Sequence, residues 1–152
     1  MTASDIDRLQ GNRMTEAEAK SFLRERGTGV LSLAAGDEAY GVPISAGYDG
    51  ESTLYFAFVG FGEKSRKTAF AERTERASFV VYEATTPADW RSVVVEGAVS
   101  EVERANRSAA MDALEDNAWY PSLFSEADPM EKLRIWALEI DSVSGLRGAD
   151  AR

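Results

Sequence analysis

The stretch from Ser92 to Glu103 constrains the fold more than any other part of the chain. Val93, Val95, Gly97 and Val99 alternate onto one face, with Val102 on the other. A period of two over this length describes a long strand with one face buried, and a glycine inside it marks a bend or bulge of the kind that curls a sheet into a barrel. Five further segments read as strands. Val30–Ala35 and Ala39–Ser45 flank Gly36-Asp37 and form a hairpin, and Thr53–Val59 follows the turn signal Tyr48-Asp49-Gly50. Ala77–Tyr82 precedes a polar loop at Thr85–Asp89, and Ile135–Ile140 closes the series.

Helical signals lie between these strands. Thr15-Glu16-Ala17-Glu18 has the form of a capping box, with Phe22 and Leu23 downstream and Gly27 as a stop, which predicts a helix over Glu16–Arg26. Gly60 and Gly62 bracket a turn into a helix over Glu63–Glu72, with Ala69 and Phe70 available for packing. Asn106–Trp119 carries Ala110, Met111 and Leu114 at helical spacing, Pro121–Pro129 is irregular, and a short helix is expected over Met130–Leu133. Six strands joined mostly as neighbours argue for an antiparallel α+β barrel with flanking helices, not a doubly wound parallel sheet. The expected organisation is an arm over residues 1–14, one domain over 15–144 and a tail over 145–152; a chain of 152 residues suits one core.

Composition narrows the chemistry. The chain has no cysteine, so disulfides, thiolate nucleophiles and sulfur-ligated metals are excluded. It also has no histidine, which removes the commonest general base and metal ligand and the nucleophile systems that depend on it. No metal site is expected and no side chain stands out as catalytic; chemistry would fall to an organic cofactor or to carboxylates, lysine and tyrosine. The formal charge of −9 opposes binding to nucleic acid or to an acidic membrane surface. No apolar run approaches a membrane span and the N-terminus is polar, so a soluble, cytoplasmic protein is expected. Four lysines against thirteen arginines and 26 acidic residues fit a salt-adapted protein or an ordinary acidic one equally.

One basic cluster stands out against this acidity. Lys64-Ser65-Arg66-Lys67 holds two of the four lysines and falls where a glycine turn becomes a helix. Free N–H groups at a helix start, a hydroxyl donor and a planar guanidinium together suit a phosphate. The plainer alternative is a solvated first turn.

The order of four motifs, Gly41-Val42-Pro43-Ile44-Ser45, Leu54-Tyr55-Phe56-Ala57, Lys64-Ser65-Arg66-Lys67 and Arg91-Ser92-Val93-Val94-Val95-Glu96-Gly97, resembles the FMN-binding split barrels of the pyridoxamine 5'-phosphate oxidase-like superfamily. The resemblance spans about Val30 to Val102 plus the last strand. It implies a six-stranded antiparallel split β-barrel in which Lys64, Ser65, Arg66 and Lys67 grip the FMN phosphate. It also implies that Val42, Pro43, Ile44 and Ser45 lie along the isoalloxazine ring, that Phe56 and Ala57 add flavin contacts, and that Ser92 touches the flavin of the other subunit of a homodimer. Tyr48, Tyr55, Phe56, Trp90 and Trp136 have a competing use as barrel core or dimer contact.

The chain departs from parts of the superfamily. True pyridoxamine phosphate oxidases carry an arginine-and-histidine substrate motif beyond the barrel, and nitroimidazole-reductase-like and haem-degrading members use a histidine; this chain has none. The resemblance therefore implies an FMN-dependent oxidoreductase acting on a small molecule other than pyridoxamine phosphate, with a reduced nicotinamide or a small substrate as hydride donor. Its rivals are an oxidoreductase using a deazaflavin coenzyme and a flavin-binding module without turnover.

Overall fold

In the computed structural model, which describes residues 1–59, 66–116 and 133–152, eight strands pair into one antiparallel sheet. In chain order they are β1 (Asn12–Arg13), β2 (Thr28–Ala35), β3 (Glu38–Ser45), β4 (Gly47–Tyr48), β5 (Thr53–Val59), β6 (Arg76–Thr86), β7 (Asp89–Glu101) and β8 (Leu133–Arg147). The helices are α1 (Ala3–Gln10), α2 (Glu16–Glu25), α3 (Arg66–Arg73) and α4 (Arg107–Glu115), the last preceded by a single tight turn at Arg104–Asn106. The six long strands coincide with the six expected from the sequence. Among the described residues, no helix is long and apolar enough to cross a membrane.

The strand order is β3-β2-β6-β7-β8-β5-β4, with β1 added on β8. The sheet is not a closed ring of hydrogen bonds, yet its two ends belong to one stretch of chain. β3 and β4 are separated only by Ala46, whose N–H donates to the carbonyl of Gly27 at 2.8 Å. The bend there carries the chain from one edge of the sheet to the other, and this is what makes the barrel split.

Period-two alternation fills the interior. Leu31 and Leu33 of β2, Phe79 and Val81 of β6, Val93 and Val95 of β7, Leu54, Phe56 and Phe58 of β5, and Leu138 of β8 are all buried. Ala19, Phe22 and Leu23 of α2 join the same core. A second cluster forms outside the barrel, where Ala110 and Leu114 of α4 cover Leu133 and Ile135 of β8, with Tyr55 and Ala57 at its margin. α4 approaches so closely that a Cβ on Gly47 would lie 2.6 Å from the Leu114 nitrogen.

The expected irregularity at Gly97 is present. Glu96 pairs with Ser142 but Gly97 pairs with Ile140, which leaves Asp141 as an extra residue bulged from β8 and ion-paired with Arg76. A bulge strengthens local twist, and here it lies midway along the longest pairing in the sheet.

Four segments differ from the sequence reading. Residues 1–14 contain α1, capped by reciprocal bonds between Thr2 and Asp5 that also lower the Asp5 pKa. Thr85–Asp89 is not a loop, because β6 runs through the β-branched Thr85 and Thr86 and turns back within Pro87-Ala88. The last strand does not stop at Ile140 or fray from Gly145: β8 continues to Arg147 opposite β7, and Gly148 and Asp150 still donate to Trp90 and Ala88, each at 2.8 Å. Pairing with a strong neighbour outweighs the weak strand propensity of Asp141–Gly145. The helix expected to end at Trp119 ends at Glu115 within the described residues. The Gly60–Gly62 turn, Glu63–Ser65, residues 117–119, Pro121–Pro129 and the helix at Met130–Lys132 lie outside the described residues, while Leu133 opens β8.

A Cβ at Gly97 would stand 1.8 Å from the Glu139 carbonyl oxygen, whereas one at Gly41 would meet nothing nearer than Val30 at 3.6 Å. Gly97→Ala is therefore expected to destabilise the protein by about 2 kcal/mol or more, the scale of overpacking a filled site. Gly41→Ala is expected to stay within about 1 kcal/mol. Urea unfolding of both variants measures the contrast, and equal midpoints would contradict this account of the bulge.

Candidate binding cleft at the start of α3

α3 is pinned at its far end. The buried Thr74, just past the helix, donates from Oγ1 to the Phe70 carbonyl at 2.7 Å and accepts from the Ala34 N–H of β2 at 3.2 Å. Glu72 accepts from Nη1 of Arg134 at 2.8 Å, and the same guanidinium donates through Nε to Glu101 at 2.5 Å. One arginine of β8 thereby ties α3 to β7. These bonds, that to Glu101 first, raise the Arg134 pKa further above its ordinary value. Thr68, Phe70 and Ala71 turn inward and fix the rotation of the helix.

That rotation sets the first residues of α3 over aromatic rings. The Arg66 guanidinium carbon lies 5.1 Å from the centre of the Tyr40 ring and 5.6 Å from that of Phe70, which stacks on Tyr40 at 5.1 Å. Lys67 Nζ lies 5.4 Å from the Phe58 ring. Among the described residues, neither Arg66 nor Lys67 meets a carboxylate. In a chain of net charge −9, two cations held on rings without a carboxylate partner among the described residues form a local positive site.

The cleft beside them is the split itself. Among the described residues, β3 is paired only with β2, and β5 beyond Tyr55 only with β8. Among the described residues each strand therefore presents an edge without a strand partner, and an unpaired edge offers backbone donors and acceptors. A ligand with a planar polar ring and a terminal phosphate matches this arrangement: the edges suit the ring and the cations suit the phosphate.

The structure sorts the sequence candidates as follows. Val42 and Ile44 lie on the inner face of β3, half-buried against the core, on the same face as Tyr40. Pro43 is exposed on the opposite face, and Ser45 ends β3 opposite Thr28. Phe56 is 1 % exposed and packed edge-on against Phe79, so its side chain belongs to the core and only its backbone is available to a ligand. Ala57 faces the α4 cluster. Arg66 and Lys67 flank the cleft; Lys64 and Ser65 lie outside the described residues. Ser92 is not brought to them, because it sits on the outer face of β7 between Tyr82 and Leu146. Of the aromatic residues, Trp136 is buried in the core, with Phe58 and Arg134 against its ring.

Sequence reasoning missed Tyr40 and Phe58 as seats for the two cations. Tyr40 carries a readable signal, since it stands two residues before Val42 and so shares its face.

The family model for pyridoxamine 5'-phosphate oxidase matches residues 15–147. No curated protein matches the chain. Among solved structures, the chain is similar to an FAD-binding protein from Mesorhizobium loti at 24 % identity, covering 88 % of this chain and 95 % of that one, with a TM-score of 0.67. An FAD-binding protein from Mycobacterium smegmatis shares 15 % identity over 90 % of this chain and 98 % of its own, with a TM-score of 0.68. An FAD- and haem-binding protein from the same organism shares 15 % identity over 90 % and 73 %, with a TM-score of 0.70. At these identities the likeness is one of fold.

Thr74→Val removes the hydroxyl that fastens α3 to β2, leaving the part-buried Ala34 N–H without that acceptor and the Phe70 carbonyl without that buried donor. A loss of about 1–3 kcal/mol is expected in chemical denaturation. A loss below about 0.5 kcal/mol would mean that α3 is positioned by packing alone.

Proposed function

The chain belongs to the pyridoxamine 5'-phosphate oxidase family, and on that premise we propose that it is a homodimeric FMN-dependent oxidoreductase acting on a small molecule. The observation that carries this reading is the pair Arg66 and Lys67, set on aromatic rings at the start of α3 without a carboxylate partner among the described residues. A terminal phosphate monoester is the group that such a pair accommodates, and Lys64 and Ser65, next in the chain, extend the donor set. Val42 to Ser45 and the unpaired edge of β5 at Phe56 and Ala57 would orient the ring.

When bound, FMN supplies the electron-transfer chemistry, taking up and releasing a hydride equivalent. The chain's own contribution is grip, orientation and exclusion of water. A histidine-free protein suits this division of labour, because the hydride step itself needs no protein acid or base. Reduced nicotinamide is the donor to test first, and anaerobic bleaching of the bound flavin by NADH or NADPH distinguishes an enzyme from a binding module. Mass measurement of the extracted cofactor distinguishes FMN from FAD and from a deazaflavin coenzyme.

The second subunit is needed to bring Ser92 to the site. The outer face around Ser92 carries the half-buried Val30, Val80 and Val94 in one row, beside Tyr82 at 63 % and Leu146 at 42 % exposure. An apolar sheet face of this kind is the surface a second copy would cover. Tyr82→Glu is expected to shift the sedimenting species from twice the chain mass to the chain mass. A wild-type protein that sediments as a monomer while holding FMN would overturn the shared site.

Removing the guanidinium in Arg66→Ala is expected to weaken FMN binding about tenfold or more, since a charge-assisted hydrogen bond is worth about 1.5–3 kcal/mol. Lys67→Ala should act alike, and Arg104→Ala, at the exposed turn before α4, should change little. Titration of apo-protein with FMN and with riboflavin provides the check. Equal losses for both ligands would place the damage in the ring pocket or the fold and overturn the phosphate assignment.

A further inference from the structure

A cavity of about 360 Å³ lies between α2 and the end of the β7–β8 ladder. Arg66 stands over Tyr40, level with Gly97 across the sheet, and the cavity begins six residues along β7 at Arg91, about 20 Å away at the rise of an extended strand. Within one chain it is therefore separate from the α3 cleft, and its reading does not rest on flavin binding.

Two of the residues lining it, Arg91 and Arg147, are direct cross-strand partners on the same face. Like charges in that relation destabilise a sheet unless acceptors compensate them. Arg91 is well served: its Nη2 donates to Glu83 at 2.7 Å and its guanidinium carbon lies 4.5 Å from the centre of the Phe22 ring. Arg147 is not. Its nearest carboxylate, Glu18, stands 3.8 Å from Nη1, beyond hydrogen-bond reach, and its buried Nε has no acceptor among the described residues. Glu25 is likewise 3.9 Å from Nη1 of Arg91. A third arginine, Arg152, completes the charged part of the wall, while Met14, Ala17 and Phe22 supply an apolar part.

We propose that this cavity binds a small organic carboxylate. The carboxylate sits between Arg91 and Arg147, supplies the acceptor that Arg147 lacks, and relieves the opposition of the two cations. The rest of the ligand lies against Met14, Ala17 and Phe22. A monoanion suits the site better than a phosphate dianion, because the three arginines of the wall already face two carboxylates in it, Glu18 and Glu25, and Arg91 is bonded to a third, Glu83.

The test is titration of the ¹⁵N-labelled full chain with benzoate, and separately with its neutral isostere benzamide, at constant ionic strength. Saturable shifts with benzoate at Phe22, Arg91 and Arg147, absent with benzamide, are expected. Arg147→Gln should weaken benzoate binding about tenfold or more, while Glu18→Gln, which removes a competing carboxylate, should tighten it. The second variant decides the matter if the first fails to fold. No saturable shift with benzoate, equal responses to benzamide, shifts confined to α3, or a Glu18→Gln variant that binds no better than wild type would each overturn the proposal.

Discussion

The contact between Gly97 of β7 and the backbone of Glu139 governs the shape of this protein. No side chain fits there, so the two strands approach until Asp141 is squeezed out as a bulge and the sheet coils at its centre. Coiling at the middle strands swings the outer ones toward each other, and β3 and β5 come to face across a gap. The bend at Ala46 then spans that gap at one end only. A flat sheet of the same strands would have no interior for Phe56, Phe79 and Leu138 and no cleft for α3 to cap.

Charge in the folded chain is distributed with the same economy. Arg134 is neutralised by Glu72 and Glu101, Arg76 by Asp141, and Arg26 and Arg91 share Glu83, whose pKa is lowered first by its bond to Arg26 and then by that to Arg91. Against that background some cations have no carboxylate within hydrogen-bond distance among the described residues. Arg66 and Lys67 are two of them, at one end of the barrel, and Arg147 is another, at the other end.

Much of the architecture was legible in the sequence because its strands alternate strongly. Val93 to Val99 announced both the buried face of β7 and its bulge, and Thr53–Val59 was bounded by unambiguous turn residues. What was not legible depended on partners distant in the chain. The second half of β8, Asp141 to Arg147, has little apolar character and becomes a strand only because β7 lies beside it. The cation seats were hidden for a similar reason: Arg66 and Tyr40 are 26 positions apart, and nothing local reveals that α3 is rotated to bring them together. Phe56 shows the opposite limit, since a motif placed it at a ligand while the period-two pattern of β5 buries its side chain.

The pairing of β8 with both β7 and β5 has a kinetic consequence. Thr53 is joined to Glu139 and Asn12 to Arg147, so the contacts that complete the barrel link the first half of the chain to its last fifteen strand residues. Until β8 has left the ribosome, β7 and β5 have no strand between them to join them, and the hairpins already made carry exposed edges. Contacts of such long sequence separation close slowly. Synthesis of this chain therefore passes through a long interval in which most of its strands exist and its barrel does not, and the final strand converts the assembly in a single late step.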